Sequence, residues 1–171
     1  MVVGFSPQAD SSIRTGELYL QLQVQSGFQG VLPLSFAQEA LIVTPRQFTL
    51  LPNQPAWVLG LFNYRNQVIW GLDLSQFLGW DPLDFGLPEY HLVVVRLQAL
   101  RLGLAVQLVK GVTRLAADRI QSVSGSPGDG WGEIPISNPC FSGQVMDGGN
   151  PLWVLNPKGI AQQLDQARAG S

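Results

Sequence analysis

The side chains able to do acid–base, nucleophilic or metal chemistry are few, and they do not converge. His91 is the only histidine, so a two-histidine metal site is impossible and any histidine-dependent catalysis must use this one imidazole. It sits in the apolar run Tyr90 to Leu97, where a packing or surface role is the ordinary reading. Cys140, the only cysteine, stands beside Phe141 with no histidine near in sequence to activate it, which fits a small buried hydrophobe better than a nucleophile. The carboxylates are scattered, with Asp81 and Asp84 in a proline-containing stretch, and no pair is spaced for general acid and base work. The cluster Gly128-Asp129-Gly130-Trp131-Gly132 lacks the glycine spacing of a phosphate-binding loop and no helical pattern follows it. These residues argue against an enzyme, against a bound cofactor and against a metal centre, and they move the question to surfaces.

One charged residue does occupy a defined place. Two apolar runs, Trp57 to Phe62 and Val68 to Leu74, are too short for typical helices, rich in β-formers, and flank Asn63-Tyr64-Arg65-Asn66. That is a hairpin signal. Asn63 or Asn66 can supply a left-handed turn position without glycine, which leaves Arg65 projecting as either an ion-pair member or a recognition residue.

Composition narrows the classes further. The 171 residues fit one domain or two small lobes sharing a core. Charged residues make up 13% of the chain, about half of ordinary usage, so the surface is neutral and suited to contact. A net charge of −2 without a basic stripe argues against nucleic acid. A single cysteine gives no internal disulfide, and cytoplasm is the expected compartment. The uncharged region Gln47 to Tyr64 is interrupted by Pro52, Asn53, Gln54 and Pro55, so no run reaches the roughly 18 to 20 residues of a membrane helix. Met1 to Ile13 lacks the cationic start and apolar core of a secretory signal.

The elements follow from periodicity. Residues 1–16 read as a flexible lead-in. Glu17 to Gln25 alternates apolar and polar throughout, a half-buried strand with Leu18, Leu20, Leu22 and Val24 facing inward. Further strands are expected at Phe28 to Leu34, Glu39 to Val43, the two arms of the hairpin, Tyr90 to Leu97, Leu100 to Val106, Leu108 to Leu115, Arg119 to Val123, Pro139 to Met146 and Pro151 to Leu155. Ser75 to Gly79 predicts a single helical turn, Trp80 to Glu89 a crossover between two lobes, and Ser124 to Gly132 a loop. Asn156 as cap and Pro157 at the first helical position predict one real helix at the end. Short strands with turn signals every 8 to 12 residues mean an all-β barrel or sandwich, and composition does not choose between them.

A resemblance does choose. Trp57, Val58, Gly60, Asn63, Arg65, Val68, Asp73 and Leu74 match the pattern Trp-Val-x-Gly-x-x-Asn-x-Arg-Gly-x-Val-x-x-x-x-Asp-Leu of CheW-like coupling proteins, with Asn66 in place of the usual glycine. Gly103, Leu104, Val106, Val109, Gly111 and Val112 match a second motif, in which Gln107 replaces aspartate. Phe141, Gly143, Leu152 and Asn156 resemble the closing segment. The resemblance spans about Glu17 to Leu164 and implies two pseudo-symmetric five-stranded SH3-like barrels with a short C-terminal helix. The expected lobes are about 28–80 and 90–155 within a domain of 17–171, tied together by strand 17–25 and segment 150–168.

The resemblance also implies a function. It is a non-catalytic adaptor that couples the cytoplasmic tip of a methyl-accepting chemoreceptor to the regulatory domain of a CheA-type histidine kinase, in chemotaxis or pilus-based taxis. Such a protein is cytoplasmic, recruited to membrane-associated receptor arrays, and does not itself insert in the membrane. The receptor-contacting residues implied are Arg65, His91, Val109 and Val112, although strand alternation alone does not place Val109 and Val112 without the bend at Gly111. The kinase-contacting residues implied are Ala37, Ala40 and Val68, and Glu39 with Arg65 forms an ion pair that fixes the turn. The other readings are a stand-alone β-barrel binding a small ligand or peptide, with the Trp131 loop as its lid, and a hydrolase, which would need His91.

Overall fold

The Leu/Gln alternation of residues 17–25 becomes a nine-residue strand whose Leu20, Leu22 and Val24 are fully buried, as a period of two requires when only one face of a strand meets a core. This computed structural model describes residues 2–3, 16–84, 86–122 and 138–170. In chain order the strands are β1 (Val2–Val3), β2 (Glu17–Gln25), β3 (Phe28–Pro33), β4 (Ala37–Val43), β5 (Val58–Tyr64), β6 (Gln67–Asp73), β7 (Tyr90–Leu97), β8 (Leu100–Val106), β9 (Leu108–Leu115), β10 (Phe141–Asp147) and β11 (Asn150–Leu155). The helices are α1 (Leu74–Phe77) and α2 (Pro157–Ala169). Of the predicted strand at 119–123, the described residues 119–122 form one bridge, Gln121 to Gln144, after a 3-10 turn over Ala117–Arg119, and residue 123 lies outside the described residues. The Ser124–Gly132 loop, with Trp131, lies outside the described residues. Within the lead-in, Val2 and Val3 pair with Leu41 and Ala40 on β4.

The strands form two sheets, ordered β1-β4-β7-β8-β6-β5 and β10-β11-β3-β2-β9. With the two-residue β1 set aside, each has five strands and the same plan. From β4 to β5 the pairings run antiparallel, antiparallel, parallel, antiparallel. From β9 to β10 they repeat that series. This is the pseudo-symmetry expected, but the sheets do not follow the contiguous lobes 28–80 and 90–155. Each takes a hairpin from one half of the chain and three strands from the other: β7–β8 joins β4–β6, and β2–β3 joins β9–β11. Strand 17–25 is an inner strand of the second sheet, between β3 and β9.

The exchange buries apolar surface three ways. A central cluster between the sheets takes Leu20, Leu22 and Val24 from one sheet and Val93, Val95, Leu102 and Leu104 from the other, with Ile160 and Leu164 of α2. Leu92, Val94, Phe62, Tyr64 and Ile69 form the core on the opposite face of the first sheet. Tyr19, Val31, Val145 and Val154 do the same for the second. β7 is thus apolar on both faces, which explains its unbroken run of β-formers.

The first sheet also curls. In a flat sheet β4 and β5 lie four spacings apart, roughly 19 Å at about 4.8 Å each. Yet the Tyr64 hydroxyl on β5 donates a short hydrogen bond to Oε2 of Glu39 on β4. No ladder joins these two strands among the described residues; side chains close the gap.

Candidate functional site

The β5–β6 hairpin turns on two residues, Arg65 at φ 47° and Asn66 at φ 63°. Both are in the left-handed region, the signature of a type I′ turn whose twist matches its strands. The sequence offers Asn63 or Asn66 for such a position, and it is Asn66 that takes it; that Arg65 itself adopts it is visible only in the structure, and a non-glycine residue held at positive φ marks a place where surroundings overrule local preference.

Those surroundings are Glu39 and Tyr64. The Arg65 guanidinium lies 3.1 Å from Glu39 Oε2, with the arginine side chain 72% exposed and the glutamate 5%, and it sits over the Tyr64 ring at 5.6 Å. The Tyr64 hydroxyl, then Arg65, hold the Glu39 carboxyl below the usual carboxylate range against the opposing effect of burial. Burial and the Glu39 charge together push the Tyr64 phenol up. A buried carboxylate with two charge-assisted partners stays ionised and fixes the turn.

The second constellation lies where the two sheets meet. Nδ1 of His91 on β7 accepts a hydrogen bond from the backbone N–H of Val109 on β9 at 3.1 Å. Burial pushes the imidazole pKa down, with Glu89 acting weakly the other way, so His91 is the neutral acceptor this bond needs. The register of β9 on β2 shifts between Gln21 and Leu22, so that Leu20 faces Val112 and Leu22 faces Val109. Directly opposed residues share a sheet face. The bulge beside Gly111, at φ 137°, therefore places Val109 and Val112 together on the face of Leu20 and Leu22, toward the first sheet.

Ile42, opposite His91 on β4, is 37% exposed, and Val112 is 47% exposed. His91, Val109, Val112 and Ile42 thus make a partly open apolar border between the sheets. Ile42 was not among the expected residues; its register with His91 reveals it.

The other expected residues separate. Arg65 is not in this border. Its partner Glu39 faces Val94 and lies on the opposite, outer face of the first sheet. Of Ala37, Ala40 and Val68, only Val68 is well exposed, at 67%. Ala40 is buried, in register with Val93 of β7, so its side chain is not a surface contact, and Ala37 packs partly buried against the central cluster. β7 and β8 lie between these alanines and Val68 in sheet order.

Asp73, matched in the motif without a role, is fully buried. Its carboxylate caps α1 by accepting from the Gln76 N–H at 3.2 Å and anchors the following segment through the Leu83 N–H at 2.9 Å. Cys140 is buried, its Sγ donates to Gln163 Oε1 at 2.8 Å, and burial pushes the thiol up to about 12, which removes it as a nucleophile. Among the described residues no three His, Cys, Asp or Glu side chains gather as a metal site, and no helix is long and apolar enough to cross a membrane.

The chain matches no curated protein in sequence. Among solved structures it is similar to the scaffolding protein TtCheW from Thermoanaerobacter tengcongensis, with a TM-score of 0.67 at 15% identity over 83% of this chain and 90% of that one, a likeness of fold. The family model for the CheW-like domain matches residues 28–164. Two five-stranded sheets with exchanged hairpins and a capping C-terminal helix, matched over most of their length by that model, show that the chain belongs to the CheW-like domain family.

Proposed function

We propose that this protein is a non-catalytic chemosensory adaptor that binds a chemoreceptor tip and the regulatory domain of a CheA-type histidine kinase at once, in the cytoplasm beside the receptor array. The observation that carries this reading is a pair of exposed β-branched side chains on different sheets: Val68 of β6 at 67% and Val112 of β9 at 47%. In a chain with little surface charge, two such places suit two protein contacts. The border of Ile42, His91, Val109 and Val112 is the receptor surface. Val68 is the kinase surface, with Ala37 and Ala40 acting through the packing beneath β4.

Co-purification with a kinase regulatory domain and with a receptor tip fragment tests the assignment. Val68→Arg is expected to lose the kinase and keep the receptor, and Val112→Arg the reverse. Folded variants that bind both partners like the parent would defeat it.

A further inference from the structure

The end of the first sheet opposite the His91 border carries three arginines, of which only Arg65 is paired with a carboxylate among the described residues. Arg96 on β7 and Arg101 on β8 are directly paired across strands. Like charges so placed destabilise a sheet. Strand alternation puts both on the outer face with Val94, the face that also carries Glu39, Tyr64 and Arg65. Arg101 donates to the side chain of Gln67, which closes the hairpin that carries Arg65, and Arg96 is its cross-strand partner, so the three arginines share one rim of the curled sheet.

Among the described residues Glu39 is the only carboxylate paired with any of the three, and it is occupied by Arg65 and Tyr64. Arg96 donates to the Gln98 carbonyl and Arg101 to the Gln67 side chain, both neutral acceptors. The Arg101 Nε is buried and has no acceptor. A buried guanidinium N–H without a partner, beside a like charge, costs stability on both counts. Local rules broken together in this way mark a functional place.

We infer that the rim formed by Arg65, Arg96 and Arg101 is a docking site for a carboxylate-bearing segment of a partner protein. Charge complementarity selects the occupant: guanidinium forks match carboxylates bidentately. Three arginines on a chain of net charge −2 are too local a patch for a nucleic acid or a lipid surface. The inference rests on the adaptor reading and adds the chemistry of one contact to it.

Titrating the isotopically labelled protein with a hexaglutamate peptide, followed by the arginine Nε–H resonances, decides it. Resonances of Arg96 and Arg101 are expected to shift, with affinity falling several-fold between about 50 and about 200 mM salt. Arg96→Glu is expected to weaken binding about tenfold, the scale of one lost charge-assisted contact, while thermal stability stays level or rises because the like-charge pair is gone. Arg101→Gln is the second variant, with Arg96→Glu as the exposed control should it fold poorly. Unchanged binding by both variants, or equal binding of inorganic phosphate, would overturn the inference. Failure of the adaptor reading is separately visible, as a parent protein that binds hexaglutamate but no kinase regulatory domain.

Discussion

Nδ1 of His91 accepts the backbone N–H of Val109 at 3.1 Å, so a side chain of the first sheet is bonded to the main chain of the second. The chain passes from β8 to β9 through the single residue Gln107, whose N–H donates to the Val24 carbonyl at 3.2 Å and whose side-chain oxygen accepts from Gln23 at 3.2 Å. The junction between sheets is therefore held on both sides of one crossover, and the apolar border inherits its shape from it.

That bond makes stability depend on pH with a definite sign. The folded imidazole has its pKa lowered, first by burial, so the unfolded chain takes up the proton more readily. His91 contributes its full stability above the ordinary histidine value of about 6.5 and loses it as pH falls through the lower folded value. Urea denaturation between about pH 7.5 and about pH 5 should show this decline, and His91→Gln, which keeps an acceptor but does not titrate, should flatten it.

Tyr64→Phe removes the partner that lowers the Glu39 pKa most. The loss should be about 1.5 to 3 kcal/mol, as for other hydrogen bonds to charged groups. Stability from ionised Glu39 is present above the ordinary glutamate value of about 4.3 and is lost as pH falls through the depressed folded value. The variant should therefore unfold at a higher pH than the parent when acid titration is followed by tryptophan fluorescence.

Asp73→Ala would strand the Gln76 and Leu83 N–H groups and should cost about 2 kcal/mol or more by guanidinium denaturation. Asp73→Asn retains one acceptor oxygen and carries no charge into the buried site, so its cost should be smaller. Equal losses would show that the charge, not the capping geometry, matters there.

Gly111→Ala isolates a backbone effect. A Cβ at this position meets nothing within 4 Å, yet φ of 137° is a glycine conformation, so about 1 to 3 kcal/mol of strain is expected. Relief of that strain would undo the bulge that puts Val109 and Val112 on one face. Faster hydrogen exchange at the Val109 amide should accompany the lower melting temperature.

Much of the local structure was legible in the sequence because it depends on neighbours a few residues apart. The alternation of Glu17 to Gln25, the hairpin around residues 63–66, the single turn before Gly79 and the Asn156-Pro157 helix start all follow from side-chain period and turn chemistry. The motif around Trp57 to Leu74 also pointed to the family that the match over residues 28–164 shows.

What the tertiary structure alone decided is which strands share a sheet and which faces residues take. A period of two says that a strand has an inside and an outside, but not that β7–β8 would cross over to join β4–β6, because that choice is made by pairing partners far apart in sequence. One unpaired residue beside Gly111 reverses the parity of β9 and brings Val109 and Val112 together, and register sets Ile42 against His91 and Arg96 against Arg101. Register is a long-range property: shifting it by one residue exchanges the faces of a whole strand, so which side chains this protein exposes is written in its topology.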